Sequence, residues 1–394
     1  MTLTLTLPGT LRITCAPAIG PYLATELVGL GVRVGTPTER DTWIDVEGTL
    51  LDAMRLNLHL RTAYAVMFLL AEFPCNSAEE LFDRTNAIPW EEIVPADGYL
   101  TIASRVNHPS ITNWTFANLR VKDAIVDRIS EKLGSRPDSG PDRCGVVIQI
   151  FWEGPTCRIY LNTSGNKLAD RGYRRIPHTA PMQETLAAAV MMATGYTGEQ
   201  PLLNPMCGSG TLAIEAALIA TGRAPGLLRA DYGLLHTKLH DEEAWQSLRR
   251  DANKQRQKAA PAPIIATDID PRAVEAATKN AKTAGVDHLI SFAVCDFAES
   301  TIPEHPGIVL LNPEYGERVG EIPELEKTYD RIGDFFKKQC AGWTGYIFTG
   351  NKDLAKKVRL TASRRMPFWN AKIECRLLKY EMYQGTRRKP KDPA

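Results

Sequence analysis

The chain has 394 residues, 44% of them hydrophobic, and its 47 basic and 46 acidic residues leave a net charge of +1. This length allows a large buried core and favours two or three domains. The longest nearly uncharged stretches, 185–198 and 212–222, are too short to span a bilayer, and no basic and apolar signal-peptide pattern opens the chain. We therefore expect a cytoplasmic protein that does not act in a membrane.

The first half of the chain mixes short strands and helices. Alternating apolar residues predict strands at 11–15, 42–46 and 100–106, and a hairpin from 146–152 and 156–162. Helical periodicity predicts helices at 20–30, 50–60 and 113–133. The apolar segment 62–73 fits a buried strand or a helix end. We expect an α+β region over residues 1–165.

The second half alternates strands with helices. Strands are predicted at 202–203, 264–266, 289–294, 308–311 and 345–349, with further apolar stretches near Phe368 and at 377–383. Helices are predicted at 183–194, 210–221, 271–284 and 325–340. This alternation indicates a parallel, doubly wound α/β sheet.

The tetrapeptide Asn-Pro-Glu-Tyr at 312–315 directly follows the apolar run 308–311. Such a run is typical of a buried parallel strand, whose carboxyl end is where open α/β sheets bind ligands. The side-chain oxygen of Asn312 and the carbonyl of Pro313 can accept hydrogen bonds from an exocyclic amino group, and Tyr315 can stack on a flat base. We interpret these residues as a site for chemistry on a nucleobase nitrogen. The alternative for Tyr315 is an ordinary half-buried core residue.

A glycine loop at 204–211, Asn-Pro-Met-Cys-Gly-Ser-Gly-Thr, lies between a predicted strand and helix. Its glycines allow a tight turn and close approach of a ligand to the positive end of the helix. The loop lacks the Gly-Lys-Ser/Thr ending of a phosphate-binding loop, and its Gly-x-Gly does not continue as a dinucleotide fingerprint.

Acidic residues follow the next two strands. Asp268 closes the strand at 264–267 and could accept both hydroxyls of a ribose. Asp296 closes the following strand, where it could bind an adenine amino group with Phe297 beside the ring. Asp270, before a proline, is predicted to cap a helix. A glycine loop followed by acids at successive strand ends fits a nucleoside with little phosphate.

Two features leave binding partners open. Residues 351–394 carry 13 Lys or Arg against 4 Asp or Glu, and a second basic stretch spans 249–258. They permit RNA binding, but a solvated helix face with a disordered tail is an equal alternative. The eight cysteines are scattered singly, and His236 and His240 have no clear third ligand, so we expect free thiols and no metal.

These motifs, in this order, resemble the class I S-adenosylmethionine (SAM)-dependent RNA methyltransferases that carry a THUMP domain. Within them the chain is most similar to the bacterial 23S rRNA guanine-N2 methyltransferase RlmL group in its single-methyltransferase form. The resemblance covers nearly the whole chain, through the segments 58–63, 167–173, 181–186, 204–219, 267–272, 312–318, 348–351 and 374–377.

The resemblance implies a Rossmann-like methyltransferase domain behind an α+β ferredoxin-like and THUMP region. Its implied boundaries are a ferredoxin-like region at 1–60, a THUMP RNA-binding domain at 61–165, a linker at 166–180, the methyltransferase domain at 181–385 and a basic tail at 386–394. It further implies SAM as cofactor, RNA as partner, with rRNA before tRNA, and a monomer.

The resemblance also assigns residues to the site. The implied cofactor-binding residues are Asn204, Pro205, Cys207, Gly208, Gly210, Asp268 on the ribose and Asp296 on the adenine. Asn312, Pro313 and Tyr315 would be catalytic, and Arg171, Arg174 and Arg318 would contact RNA. Two residues depart from the family pattern: Asn204 replaces the usual Asp near the SAM ammonium, and Glu314 replaces a second Pro.

The implied mechanism is direct attack of a guanine N2 on the sulfonium methyl of SAM. Asn312 and the carbonyl of Pro313 would accept the amino hydrogens, and Tyr315 would stack on a flipped base. Because no covalent nucleophile is needed, Cys207 and Cys295 are expected to pack. Three alternatives stay open: a tRNA guanine-N2 methyltransferase, a non-catalytic RNA-binding or assembly factor, and a DNA amino-methyltransferase.

Overall fold

The chain divides into two compact units in the computed structural model, which describes residues 3–109, 113–176, 182–315 and 322–383. The first unit contains Met1–Ala16, Leu23–Arg171 and Ala224–Lys254. The second contains Pro17–Tyr22, Gly172–Arg223 and Gln255–Ala394. Within these described ranges, each unit contains one seven-stranded sheet.

The sheet of the first unit is mixed. Its strands are β1 (Gly9–Thr14), β2 (Trp43–Gly48), β3 (Ala65–Pro74), β4 (Tyr99–Asn107), β5 (Asp138–Ser139), β6 (Val146–Glu153) and β7 (Thr156–Asn162), in the order β2-β1-β3-β7-β6-β4-β5. β4 pairs in parallel with β5 and β6, and the other pairs are antiparallel. The predicted hairpin is confirmed as β6–β7, and most of the ambiguous segment 62–73 is a strand.

The α-helices of the described residues mostly follow the predicted periodicity. They are α1 (Gly20–Gly29), α2 (Leu50–His59), α3 (Ala78–Asn86), α4 (Trp114–Leu133), α5 (Glu184–Thr194), α6 (Thr211–Ala220), α7 (Glu242–Lys254), α8 (Pro271–Ala284), α9 (Ile322–Gln339) and α10 (Lys352–Lys357). At α2, Thr49 and Asp52 form a reciprocal capping box. Over the described ranges, every helix is too short or too polar to cross a membrane.

The segment Ala224–Lys254 belongs to the first unit although it lies inside the predicted methyltransferase domain at 181–385. Arg229 is 8% exposed, and its guanidinium donates to backbone carbonyls of the segment 164–170. Its carbon Cζ lies 5.0 Å from the ring centroid of Tyr232. One buried cation therefore satisfies several carbonyls at once and holds the segment in place.

The sheet of the second unit carries the predicted doubly wound order. Its strands are β8 (Leu202–Pro205), β9 (Ile264–Asp268), β10 (Ile290–Val294), β11 (Ile308–Leu311), β12 (Thr344–Thr349), β13 (Arg364–Asn370) and β14 (Ile373–Glu381), in the order β10-β9-β8-β11-β12-β14-β13. The first five are parallel, and the hairpin β13–β14 closes one edge antiparallel.

The apolar run of β11 is the centre of this sheet. Val309 and Leu311 pack into a core with the α9 residues Tyr329 and Phe336. Because side chains alternate along a strand, Ile308 and Leu310 point to the opposite face, and both are buried as well. Burial on both faces fixes the register of β11 and places the residues after it at the carboxyl edge of the sheet.

Candidate active site

The glycine loop joins β8 to α6 in a conformation that requires glycine. Gly208 and Gly210 have φ angles of 53° and 82°. A Cβ added at Gly210 would lie 2.8 Å from the Cβ of Ala277, so a larger residue would also clash. The N–H of Cys207 donates to the Thr267 carbonyl over 2.9 Å, and the N–H of Gly208 donates to the Asp268 carboxylate over 2.9 Å. The loop is thus fixed to the end of β9 by two hydrogen bonds from its backbone N–H groups.

Met206 is a loop residue that sequence reasoning missed. Its φ angle of 61° is left-handed, which is unusual for a residue other than glycine and costs on the order of 1–3 kcal/mol. The neighbouring hydrogen bonds of Cys207 and Gly208 compensate for this cost. Backbone strain of this kind is concentrated at ligand sites, but no sequence pattern announces it.

Asn204 is the penultimate residue of β8 and is completely buried. Its amide Nδ2 donates to the carbonyl of Leu310 in β11 over 2.8 Å, which fixes the orientation of the side chain. The opposite atom, Oδ1, is buried and has no hydrogen-bond partner among the described residues. An unsatisfied buried acceptor costs about 1–3 kcal/mol, so Oδ1 is poised to accept from a ligand that carries an N–H group.

Asp268 and Asp270 divide two tasks at the end of β9. Asp268 accepts the N–H of Gly208 on one carboxylate oxygen and the N–H of Asp270, over 3.0 Å, on the other. Asp270 accepts the N–H of Arg272 over 2.9 Å and begins α8, as predicted. The Asp268 carboxylate is therefore held rigidly beside the loop, with lone pairs remaining for hydroxyl donors.

Asp296 lies at the corresponding position after β10. Its Oδ1 accepts the N–H of Ala298 over 3.0 Å and Nη2 of Arg331 over 2.7 Å. Burial alone would raise the pKa of Asp296, but the hydrogen bonds from Arg331 and Ala298 hold that pKa below its ordinary value. The side chain is therefore an ionised acceptor at neutral pH. Sequence reasoning missed Arg331.

Phe297 packs mainly in the core behind the end of β10. It is only 5% exposed and packs edge-on against Phe335, with ring centroids 5.7 Å apart. The guanidinium of Arg331 lies 4.9 Å from the ring centroid and covers it further. The position of Phe297 beside an adenine stays a prediction.

The tetrapeptide after β11 presents a second unsatisfied acceptor. Oδ1 of Asn312 is buried and has no hydrogen-bond partner within the described ranges. Pro313 is buried, whereas Glu314 is exposed. β11 and β8 are neighbours in the sheet, and the bond from Asn204 to Leu310 ties their ends together. Two buried amide oxygens without a hydrogen-bond partner among the described residues therefore lie at the ends of adjacent strands.

Tyr315 is held by residues at or just after the ends of later strands, β12 and β13. Its hydroxyl accepts Nδ2 of Asn370 over 2.9 Å, and its carbonyl accepts Nδ2 of Asn351 over 3.3 Å. A Cβ added at Gly350 would lie 3.1 Å from the Tyr315 ring, so glycine lets the ring approach the backbone. Asn351 belongs to a motif that the sequence offered, but Asn370 carries no sequence signal.

Some predicted residues do not join this site as expected. Arg171 is 1% exposed and donates to the Arg61 carbonyl over 2.6 Å, so the prediction that it contacts RNA is wrong. Arg174 has a side chain 15% exposed and is engaged by Glu184 and the Met182 carbonyl, which leaves little surface for RNA. Arg318 and the basic tail at 386–394 lie outside the described residues.

Cys207 is a buried thiol, and the two histidines considered as metal ligands are paired with carboxylates. Burial raises the pKa of the Cys207 thiol, which therefore stays protonated and is unsuited to nucleophilic attack. Nε2 of His236 lies 2.6 Å from Asp231, and Nε2 of His240 lies 2.7 Å from Glu242. In the part of the chain that the structure describes, no three His, Cys, Asp or Glu side chains cluster as metal ligands.

Comparison with known families divides the chain into three matches. Residues 171–379 match the family described as an RMKL-like methyltransferase domain. Residues 75–162 match the THUMP domain, and residues 10–67 match the RlmL ferredoxin-like domain. These matches cover both units of the structure and include the glycine loop, both acids and the tetrapeptide.

Individual relatives agree with this division. The "Ribosomal RNA large subunit methyltransferase K/L" of Syntrophotalea carbinolica is 35% identical over 94% of this chain and 53% of that protein. The "Putative RNA methyltransferase slr0064" of Synechocystis sp. is 32% identical over 94% of this chain and 96% of that protein. This chain thus spans about half the length of several curated relatives that it matches.

A solved structure shares the whole architecture. SMU.472, a putative methyltransferase complexed with SAH, is 26% identical, with a TM-score of 0.86 over 96% of this chain and 99% of that chain. The sheet order, the glycine loop and the family matches therefore agree. The chain belongs to the family of RMKL-like methyltransferase domains, preceded by a THUMP domain and an RlmL ferredoxin-like domain.

Proposed function

We propose that this chain transfers a methyl group from SAM to the N2 amino group of a guanine in RNA, with 23S rRNA as the substrate. The observation that carries the proposal is the pair of buried, unsatisfied oxygens, Oδ1 of Asn204 and Oδ1 of Asn312, at the ends of neighbouring strands. The relative named as a large-subunit rRNA methyltransferase supports the choice of RNA. The monomeric state and the cytoplasmic location stay predictions.

The residues of the loop fit a SAM molecule. Oδ1 of Asn204 would accept an N–H of the ammonium, Asp268 would accept the ribose hydroxyls, and Asp296 would accept the adenine amino group on the oxygen that Arg331 does not occupy. All three are acceptors, and each hydrogen bond needs a donor that SAM carries. SAM supplies an electrophilic methyl group on a positively charged sulfur.

The tetrapeptide would prepare the attacking nitrogen. An exocyclic amino nitrogen donates its lone pair into the ring and becomes nucleophilic only as it leaves the base plane. Oδ1 of Asn312 and the Pro313 carbonyl would accept hydrogen bonds from its two N–H groups and stabilise the positive charge that develops as the N–C bond forms and the S–C bond of SAM breaks. S-adenosylhomocysteine would leave with the S–C bonding pair, and the methylated nitrogen would lose one proton to solvent. The Cδ2–Cε2 edge of the Tyr315 ring lies beside Gly350, and the ring would stack on a flipped guanine.

The test is Asn312→Ala, assayed with labelled SAM on unmodified 23S rRNA. We expect kcat to fall about a hundredfold to a thousandfold, because the variant loses an acceptor needed only as charge develops. SAM affinity, measured by calorimetry, should change less than about twofold because Asn312 is not placed on the cofactor. Asn253→Ala, at an exposed position in α7, is the control.

Three outcomes would redirect the proposal. Equal turnover by Asn312→Ala and the parent would remove Asn312 from the chemistry. Methylation of naked tRNA in preference to rRNA fragments would make tRNA the substrate. A parent chain that binds no SAM would favour an RNA-binding or assembly factor.

A further inference from the structure

A cavity lies beside the tetrapeptide in the second unit. It has a volume of about 620 Å³ and is bounded by the end of β12, by α10, by the loop before β13 and by one face of β14. Its floor contains Leu378 and Tyr380, which are 5% and 3% exposed. Pockets of roughly 300–1,000 Å³ with an apolar floor accept flat organic groups.

This cavity lies next to Tyr315 of the tetrapeptide, with Gly350 between them. Gly350 and Asn351 line it, and the same two residues contact the ring and the carbonyl of Tyr315. Alternation along β14 separates the two spaces: Arg376 faces the cavity, whereas the preceding residue, Cys375, lies on the opposite face of the strand. Gly350 and Asn351 therefore form a shared boundary between Tyr315 and this cavity.

The rim of the cavity is basic. Among the described residues, four basic side chains line it against two acidic ones, namely Lys352, Lys356, Arg365 and Arg376 against Asp353 and Glu374. Glu374 lies 3.6 Å from Lys352 and 3.4 Å from Arg376, and Asp353 lies 2.7 Å from Lys356. Exposed ion pairs of this kind hold their charges only weakly. Arg365 makes no ion pair with any described residue. Positive charge is thus available above an apolar floor.

We propose that this cavity binds the RNA nucleotide adjacent to the guanine that Tyr315 receives. The base would lie on the apolar floor, and its phosphate would be bound by Arg365 and Arg376, a combination typical of single-stranded RNA sites. The assignment rests on the proposed function, because it takes the RNA to be already positioned at the tetrapeptide. It adds a flanking-nucleotide site to the methyl-transfer site.

The matched test uses two neighbouring arginines on β13. Arg365 lines the cavity, whereas Arg364 is exposed and, one residue earlier, faces the opposite side of the strand. For Arg365→Gln we expect the Kd for an unmodified 23S rRNA fragment, measured by filter binding, to rise about three- to tenfold. The slope of log K against log salt should fall by about 1, as for one lost phosphate contact. Arg364→Gln should match the parent, and both variants should bind SAH like the parent.

The outcomes separate the two proposals. If the parent methylates rRNA and Arg365→Gln matches Arg364→Gln in Kd and salt slope, the cavity assignment is wrong and the methyl-transfer proposal stands. If the parent binds RNA but transfers no methyl group, the proposed function fails, and the same pair of Kd values decides whether the cavity binds RNA. A parent that binds no RNA overturns both.

Discussion

Individual residues at the strand ends are arranged around unsatisfied acceptors. Asn204, which stands where the family resemblance implies a carboxylate, donates its Nδ2 to the Leu310 carbonyl, 2.8 Å away. A carboxylate in this position would face that carbonyl with a second acceptor and lose the bond. The departure is therefore consistent with an intact site in which the amide both links two strands and presents Oδ1.

Glu314 is the other departure, and its exposure makes it testable. Removing the charge with Glu314→Gln should lower the KM for rRNA up to about fivefold at low salt, because one repulsive charge near a polyanion is worth about 1 kcal/mol. The gain should disappear at high salt as screening increases. Glu314→Pro should add a rise in kcat by stiffening the turn. Steady-state kinetics at two salt concentrations would refute this if neither variant differs from the parent.

Arg331 sets the pH range in which Asp296 can act. In the parent the pKa of Asp296 is held below its ordinary value of 3.8, so the carboxylate accepts from an adenine amino group at any pH above that range. In Arg331→Gln burial dominates and the pKa rises, so protonation should weaken SAH binding at a higher pH than in the parent. Calorimetry from pH 4 to pH 8 measures the shift. Arg272→Gln, which alters the exposed arginine beside Asp270, is the control, and coincident profiles for Arg331→Gln and the parent would disprove the role of Arg331.

Among the elements, the hairpin β13–β14 has a function beyond closing the sheet. Asn370, the last residue of β13, holds the Tyr315 hydroxyl over 2.9 Å. The tyrosine follows β11, two strands away from β14 in the sheet order. The position of the aromatic ring therefore depends on a strand that contributes nothing to the cofactor loop.

Asn370→Ala should reduce kcat/KM for rRNA by about tenfold while SAM affinity is unchanged, because a misplaced ring costs orientation and not cofactor contacts. Tyr315→Phe removes the hydroxyl that Asn370 holds. In that background Asn370→Ala should have no further effect, which a double-mutant cycle measures. Fully additive losses would show that Asn370 acts through another contact.

At the scale of the whole molecule, each of the two units is made of separate segments of the sequence. Residues 224–254 lie between segments of the second unit but pack in the first, where Tyr232 and Trp245 are 2% and 4% exposed. The N–H of Gln257 donates to the Thr221 carbonyl over 2.8 Å, so the segment leaves and re-enters the second unit at one place. The domain boundaries expected from the sequence stay predictions. Residues 224–254 differ from them, because they pack in the first unit although they fall within the predicted methyltransferase domain at 181–385.

Hydrogen exchange on the intact chain tests the division. Binding of SAH should increase protection at 202–222 and 264–300, whereas 224–254 should change little although it lies between them. Arg229→Met should lower protection at 224–254 and at 164–170 without altering the Kd for SAH, because its carbonyl contacts all lie in the first unit. A loss of SAH affinity in Arg229→Met would contradict this assignment.

The sequence by itself determined most elements and the order of the site. Apolar periodicity predicted β8, β9, β11 and α8. The polar and turn-forming residues that follow the apolar runs placed the glycine loop, Asp268 and Asn312 at strand ends. Both signals depend only on neighbouring residues in the chain. The tertiary structure alone decided which later residues return to the site. Asn370 and Arg331 are far from their partners along the chain, so their roles depend on how distant elements pack and have no local signal.

Burial decides which of the predicted contact residues can reach a ligand. Arg171 looks like a ligand contact in the sequence, since a charged side chain fits RNA as a surface group. The fold places it inside, at 1% exposure. Residue type limits the chemistry a side chain can perform, and packing decides whether that side chain can reach a ligand.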